Sequence, residues 1–284
     1  MFKRLGVYLS FVRFSHTVFA LPFALAGALL AAQRVPVNGG TIAWILVAMV
    51  AARSAAMGFN RLVDARFDAL NPRTAGRELP RGVMSRREAV VFVVMASLGF
   101  VFAAWRLNPL CFALSPVALA IVFWYSLAKR YTAWTQLFLG LAMAVAPVGG
   151  WLAAGGRGGW EPWLLALAIG AWVGGFDILY ACQDLGFDRA HGLRSIPARY
   201  GVPAALALSR GLHVLTIACL VALSWVAPLG RIYLTGVAVV AALLAYEQSL
   251  VRADDLSQVK RAFDLNGYVG ILYLIVLAAS IYGG

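Results

Sequence analysis

The chain has 284 residues, 62% of them hydrophobic and 13% charged, with a net charge of +12 and a mean hydropathy of +0.81. A water-soluble domain is about half apolar and about a quarter charged, so this chain has too few charges to coat a soluble globule. In a soluble protein the basic excess would suggest nucleic acid; here it is confined to segments between apolar runs, reads as membrane topology, and gives no reason to expect a nucleic-acid partner.

Nine apolar runs follow in chain order, at residues 16–33, 41–58, 89–105, 110–127, 133–154, 163–181, 206–226, 232–250 and 267–282. A bilayer span takes about 20 such residues. Each run is apolar on every side, and lipid cannot satisfy an open backbone, so each is expected to be a helix. The expected fold is therefore all-α: a single domain over residues 1–284, built as a bundle of nine transmembrane helices. The first run sits too far from the start for a secretory signal and lacks a small-residue cleavage site, so it reads as the first span. Cys111, Cys182 and Cys219 lie in or at the ends of spans without disulfide or metal-site spacing, and read as small apolar packers.

The basic residues give an orientation. Of the 24, 18 fall in the N-terminal segment and in the loops after spans two, four, six and eight; only Arg34, Arg106, Arg157 and Arg231 fall on the other side. This bias puts the N-terminus and those loops in the cytoplasm, and nine spans put the C-terminus outside.

Positive-inside topology explains arginines in the loops after spans two and six, but not the aspartates among them. The first acidic stretch reads Asn60, Asp64, Asp68, an N-x3-D-x3-D spacing. On a helix these three lie within about 80° of one another, and Arg53 projects onto the same face. The second stretch holds Asp177, Tyr180, Gln183, Asp184 and Asp188; its three aspartates would share a face within about 40° if the helix were continuous. A carboxylate inside a span costs about 2.5–3.5 kcal/mol even on a lenient scale, so five of the chain's 12 acidic residues in these two stretches need an employment. Divalent cations between the two faces would remove that cost. Hard oxygen donors suit Mg²⁺, which takes one or two carboxylates together with substrate phosphates, and the arginines become diphosphate clamps. The bland alternative is a solvated, salt-bridged turn.

The stretch N-R-L-V-D-A-R-F-D-A-L-N-P-R-T-A-G-R-E-L-P-R-G (60–82) resembles the first aspartate-rich motif of the UbiA-type intramembrane aromatic prenyltransferases, and D-I-L-Y-A-C-Q-D-L-G-F-D-R-A-H-G-L-R-S-I-P-A-R-Y-G (177–201) resembles their second. Tyr125-Ser126-Leu-Ala-Lys129-Arg130 is similar to the family's Y-x3-K element. The resemblance implies transfer of a polyprenyl group from its diphosphate to a small aromatic acceptor at a cytoplasm-side, Asp-rich active site. It implies two Mg²⁺ ions held by Asn60, Asp64, Asp68, Asp184 and Asp188, with Arg66, Arg73, Arg77, Lys129 and Arg130 sharing the diphosphate charge. Tyr125 would steady an allylic cation or contact the diphosphate. Arg53 would hold an acceptor carboxylate or pair with a motif aspartate. Asp177 would deprotonate the acceptor, orient Tyr180 or pair structurally.

Ser195 and Pro197 read as loop-shaping residues, His191 as an exposed loop residue, and His16 and His213 as helix-end or packing residues. Asn266 reads as the cap of the last span, and Asp254, Asp255 and Asp264 as solvated charges. The forms of the two motifs resemble the 4-hydroxybenzoate group, including a branch of the futalosine route to menaquinone. That implies an aromatic hydroxy acid of ubiquinone or menaquinone biosynthesis, 4-hydroxybenzoate or a dihydroxynaphthoate, and a bacterial inner membrane. The remaining alternatives are another family acceptor (heme or a lipid alcohol), a multi-pass transporter, and a non-catalytic membrane scaffold.

Overall fold

A computed structural model describes residues 2–12 and 21–283. These residues form twelve α-helices and no strand: α1 (Phe2–Phe11), α2 (Leu21–Ala32), α3 (Gly39–Leu70), α4 (Arg86–Leu107), α5 (Pro109–Ala128), α6 (Thr135–Ala153), α7 (Glu161–Ala181), α8 (Leu185–Ala190), α9 (Ile196–Tyr200), α10 (Val202–Val226), α11 (Arg231–Leu250) and α12 (Val259–Tyr282). A 3₁₀ turn, Cys182–Asp184, joins α7 to α8. Eight of these helices are long and apolar enough to cross a membrane. The first expected span is represented by α2, only 12 residues long. The preceding stretch of that span, with His16, lies outside the described residues.

Local chemistry sets the helix ends. Asn38 accepts from the Thr41 amide at the start of α3, at 2.8 Å. Ser85 and Glu88 form a reciprocal capping box on α4. Asn108 ends α4 and caps α5, with Pro109 at the first helical position, where its missing N–H costs nothing. α3 runs twelve residues past its expected end, so the whole first acidic stretch stays on one helix. α12 starts eight residues earlier than expected, and this overturns the capping role of Asn266: it sits inside α12, fully buried. Its side-chain NH₂ donates to Glu247 at 3.0 Å, and its carbonyl accepts from the Trp172 indole at 2.7 Å. This polar knot pins α7, α11 and α12 together.

The helices pack largely with their neighbours in chain order, while α2 lies against α6 and α12. Small residues make the closest approaches. A Cβ on Gly150 would run into the Ala24 carbonyl, one on Gly27 into Pro147, and one on Gly140 into Gly170. Gly150→Leu is therefore expected to force α2 off α6 and to cost at least about 2 kcal/mol, read as a lowered Tm in detergent. An unchanged Tm would contradict the close approach. Across the far end of α2, Arg34 pairs with buried Glu161 of α7 and covers Trp151 at 5.4 Å.

The main apolar core draws on α2, α6, α7 and α10–α12 around Phe23, Trp172, Tyr233 and Tyr273. α7 is the most buried candidate span, with 67% of its apolar window inside, whereas α5 has 11%. The outer faces of α4 and α5 are apolar and exposed, as lipid contact requires (Val94, Met95, Leu98, Phe112, Val117). Exposed aromatic residues collect near helix ends: Trp105, Trp160, Trp163, Trp225 and Tyr282 toward one side of the bundle, Tyr131, Trp134, Tyr200 and Tyr246 toward the other. Such girdles mark the two interfaces of a bilayer. The fold is that of an all-α integral membrane protein.

Candidate active site

Asp64 is the centre of the first bank. It sits on the last third of α3, and its side chain is only 5% exposed. Lys129 reaches Asp64 Oδ2 at 2.7 Å and Arg130 reaches Oδ1 at 2.9 Å, both from the end of α5. The Asn60 amide donates to Asp64 Oδ2 at 3.2 Å and to Ser126 Oγ at 3.4 Å. One turn further on, both oxygens of Asp68 accept from Arg77 at 2.7 Å. Charge-assisted bonds of this kind are worth about 1.5–3 kcal/mol each, so the bank holds its shape.

The second bank follows α7. Asp184 Oδ2 accepts from Arg73 at 2.6 Å, and the same guanidinium donates to the Tyr180 hydroxyl at 3.0 Å. Asp188 accepts from Ser195 Oγ at 2.8 Å, and Ser195 also caps α9. The 3₁₀ turn corrects the expected continuous helix: Asp177 stands on α7, Asp184 at the end of the turn, and Asp188 on α8. Asp177 makes no hydrogen bond to a described residue, but lies within electrostatic reach of Asp184 and Tyr125.

The loop after α3 joins the banks, because Arg77 grips Asp68 and Arg73 grips Asp184. Lys129 and Arg73 also act electrostatically on Asp188. A second brace runs through the backbone, where the Arg194 amide donates to the Lys129 carbonyl at 2.9 Å. Arg66 stays out of this cluster. It is exposed, without an ion pair or hydrogen bond among the described residues, and stands two positions, or about 200°, round the helix from Asp64.

Below the first bank, toward the membrane interior, a cavity of about 760 Å³ opens among α3, α4, α5, α6 and α7. Its lining is mostly aliphatic, with Arg53 and Tyr125 as its charged and phenolic members. Arg53 lies seven residues before Asn60, about 10 Å along α3. Its Nε is buried and makes no hydrogen bond to the described residues. Tyr125 is half-buried and within electrostatic reach of Arg53, Asp64 and Asp177.

Two contributors escaped sequence reasoning. Ser126 accepts from Asn60, a role its position between Tyr125 and Lys129 did not signal. Gln136, buried on α6, accepts from the Ile196 amide at 3.3 Å and holds α9. Ser195 was expected to shape the loop and is in addition a direct partner of Asp188.

The profile of the UbiA prenyltransferase family matches residues 20–275, which includes both acidic banks and the cavity. The chain belongs to the UbiA prenyltransferase family. A 4-hydroxybenzoate octaprenyltransferase from Vibrio campbellii is 31% identical over 253 residues, covering 89% of this chain and 88% of that protein. The same enzyme from Alkalilimnicola ehrlichii is 33% identical over 92% of this chain and 88% of its own length. Among solved structures, a UbiA homolog from Aeropyrum pernix K1 superposes with a TM-score of 0.86 at 36% identity, over 93% of this chain and 98% of that one. A UbiA homolog from Archaeoglobus fulgidus, solved with GPP and Mg²⁺, shares the fold at a TM-score of 0.75 and 21% identity, over 97% of this chain and 99% of that one. As a UbiA-family member, this chain is a prenyltransferase.

The donor set of this UbiA chain can be tested against a metal. Among the described residues no three acidic, histidine or cysteine side chains converge into a cage. The oxygen donors stand instead in two banks, Asn60, Asp64 and Asp68 on one side and Asp184 and Asp188 on the other. Zinc favours cysteine and histidine donors, which neither of these two sets supplies. Mg²⁺ fits the arrangement, since it draws on one or two carboxylates and completes its shell with water and phosphate oxygens.

Proposed function

We propose that this protein transfers a polyprenyl group from its diphosphate to a small aromatic hydroxy acid, of the 4-hydroxybenzoate or dihydroxynaphthoate type, in quinone biosynthesis. The observation that carries the reading is that Arg53, whose buried Nε has no hydrogen-bond partner among the described residues, lines an apolar cavity from the same helix that carries Asn60, Asp64 and Asp68. An apolar tail fits the cavity, a carboxylate fits Arg53, and a diphosphate fits the basic residues. The names of the relatives favour 4-hydroxybenzoate. A lipid alcohol without an acidic group would leave the Arg53 guanidinium without a counter-charge. A transporter would place its charges on broken helices at the bilayer midplane.

In this reading Asn60, Asp64, Asp68, Asp184 and Asp188 hold Mg²⁺, with two banks suited to two ions. When bound, the metal neutralises the leaving diphosphate and favours cleavage of its allylic C–O bond. Arg73, Arg77, Lys129 and Arg130 already face the carboxylates at 2.6–2.9 Å, and are placed to share the charge of the diphosphate oxygens. Arg66, turned away, has no part in this scheme. Tyr125 lines the cavity within electrostatic reach of both Arg53 and Asp64, and in this reading the allylic carbon and the acceptor ring meet beside it. Asp177, within electrostatic reach of both Tyr125 and Asp184, is the carboxylate we assign to take the ring proton. Arg53 orients the acceptor through its carboxylate.

The whole chain acts as one domain in a bacterial inner membrane, with the banks and the N-terminus on the cytoplasmic side and the C-terminus outside. The deciding assay combines purified protein, Mg²⁺ and a polyprenyl diphosphate with 4-hydroxybenzoate or 1,4-dihydroxy-6-naphthoate in separate tubes, and detects prenylated product by mass. Product is expected in one of the two. Its absence in both, with folded protein and several donor lengths, would overturn the acceptor class.

A further inference from the structure

α6 meets its surroundings with two kinds of glycine. Gly140 and Gly150 are consumed in contacts, where an added Cβ would strike the backbone of α7 or α2. Gly149, directly beside Gly150, lines the cavity, and a Cβ built on it would meet nothing within 4 Å. The same helix face presents Ala142, Ala146 and Ala153, at the four- and three-residue spacing that stacks side chains along one stripe. This stripe is one wall of the cavity. The polar atoms away from Arg53 and Tyr125 are few, and the Ser115 hydroxyl is already spent on the Phe112 carbonyl at 2.8 Å. Beyond its headgroup end the cavity can therefore take only hydrocarbon.

From Leu137, which lines the cavity near the start of α6, to Gly149 is twelve residues, about 18 Å of helix. An extended chain advances about 1.2 Å per bond, as a polypeptide does with 3.6 Å over three bonds. The distance to Gly149 thus matches about fifteen bonds, between three and four isoprene units of four backbone bonds each. A tail laid along this wall of α6 ends before Gly149 when shorter and passes it when longer.

We infer that Gly149 sets which polyprenyl tails this enzyme accepts, by leaving open the passage that donors longer than about three isoprene units must thread. The inference rests on the transfer reading above. A Cβ at this position meets no atom of α2 or α7, unlike one at Gly140 or Gly150, so added bulk here goes into a wall of the cavity and not into a helix contact. Discrimination by occupied volume in an apolar site is worth about ten- to two-hundredfold, which sets the scale of the effect.

The test is a series, Gly149→Ala, Gly149→Leu and Gly149→Phe, assayed with geranyl, farnesyl, geranylgeranyl and longer diphosphates. Gly211→Phe is the control, since Gly211 is exposed on α10 with nothing within 4 Å and lies outside the cavity. The quantity read is the ratio of kcat/KM for geranylgeranyl diphosphate to that for geranyl diphosphate. It is expected to fall by about tenfold or more in Gly149→Phe, less in Gly149→Leu, and not at all in Gly211→Phe. Should the phenylalanine variant fail to fold, the leucine variant decides by the same ratio. A ratio unchanged across the series, or equal losses with every donor, would overturn the inference while leaving the transfer reading intact. A wild-type protein that prenylates nothing with any donor would overturn that reading, and the gauge with it.

Discussion

Asp64→Ala is expected to lower kcat/KM by at least about a thousandfold, the equivalent of about 4 kcal/mol of transition-state stabilisation. Asp64 is the junction of the first bank: it holds Asn60, Lys129 and Arg130 at once, and its side chain is only 5% exposed. Removing it deletes a candidate metal ligand and leaves two cations facing each other without a counter-charge, so the loss combines two causes. Asp184→Ala, which releases Arg73, is expected to follow the same course. Asp64→Asn keeps the volume and removes only the charge, and separates metal binding from packing. All three are measured in the prenyl-transfer assay beside a thermal unfolding curve in detergent. A variant that keeps near-normal turnover would sink the assignment of these carboxylates; one that is inactive because it no longer inserts or folds would be recognised by its unfolding curve.

Arg53→Leu carries the second largest effect. KM for the aromatic acceptor is expected to rise by about thirtyfold or more, the equivalent of about 2 kcal/mol, since a buried charge-assisted pair with a carboxylate is lost. The KM for the polyprenyl diphosphate should stay within about twofold, because Arg53 stands about 10 Å along α3 from Asn60. Arg53→Lys restores the charge but not the forked geometry, and should recover only part of the loss. Equal changes in both KM values would show that Arg53 supports the bank instead of the acceptor. An acceptor analogue without the carboxylate gives the complementary reading: wild type should bind it as poorly as Arg53→Leu does.

The periodicity of α3 made the first bank legible. Asn60, Asp64 and Asp68 share a face in the structure as their spacing requires, because the helix continues unbroken from Gly39 to Leu70. The same arithmetic already set Arg66 on the other side, and the family resemblance alone brought it into the list of phosphate ligands. The second bank was less legible, since a three-residue 3₁₀ turn changes the angle per residue where the aspartates begin. Nothing local announces that turn; the tie that holds the following segment, from the Arg194 amide to the Lys129 carbonyl, is made only in the folded chain. Asn266 and Glu247 were misread or overlooked for a different reason. Single polar residues in apolar runs have no partner within reach in sequence, and these two find each other, and Trp172, only once α7, α11 and α12 are packed. An apolar groove for the tail was expected of a helix bundle, but its place was not legible, because alanine and glycine on α6 look alike whether they face a neighbouring helix or an open passage.

The uneven packing of the bundle has a mechanical consequence. α7 and the helices around Trp172 form a stiff block, interlocked by aromatic rings and by the polar knot, whereas α5 contributes little buried surface and stands as a thin wall against lipid. Interlocked side chains resist deformation, and sparsely packed elements yield first. The second bank is mounted on the block and the first on α3, beside the wall. A displacement of α5 therefore alters the width of the cavity it lines, while the acidic groups that follow α7 keep their footing on the block: an anvil faced by a thin panel, with the reacting centre on the seam between them.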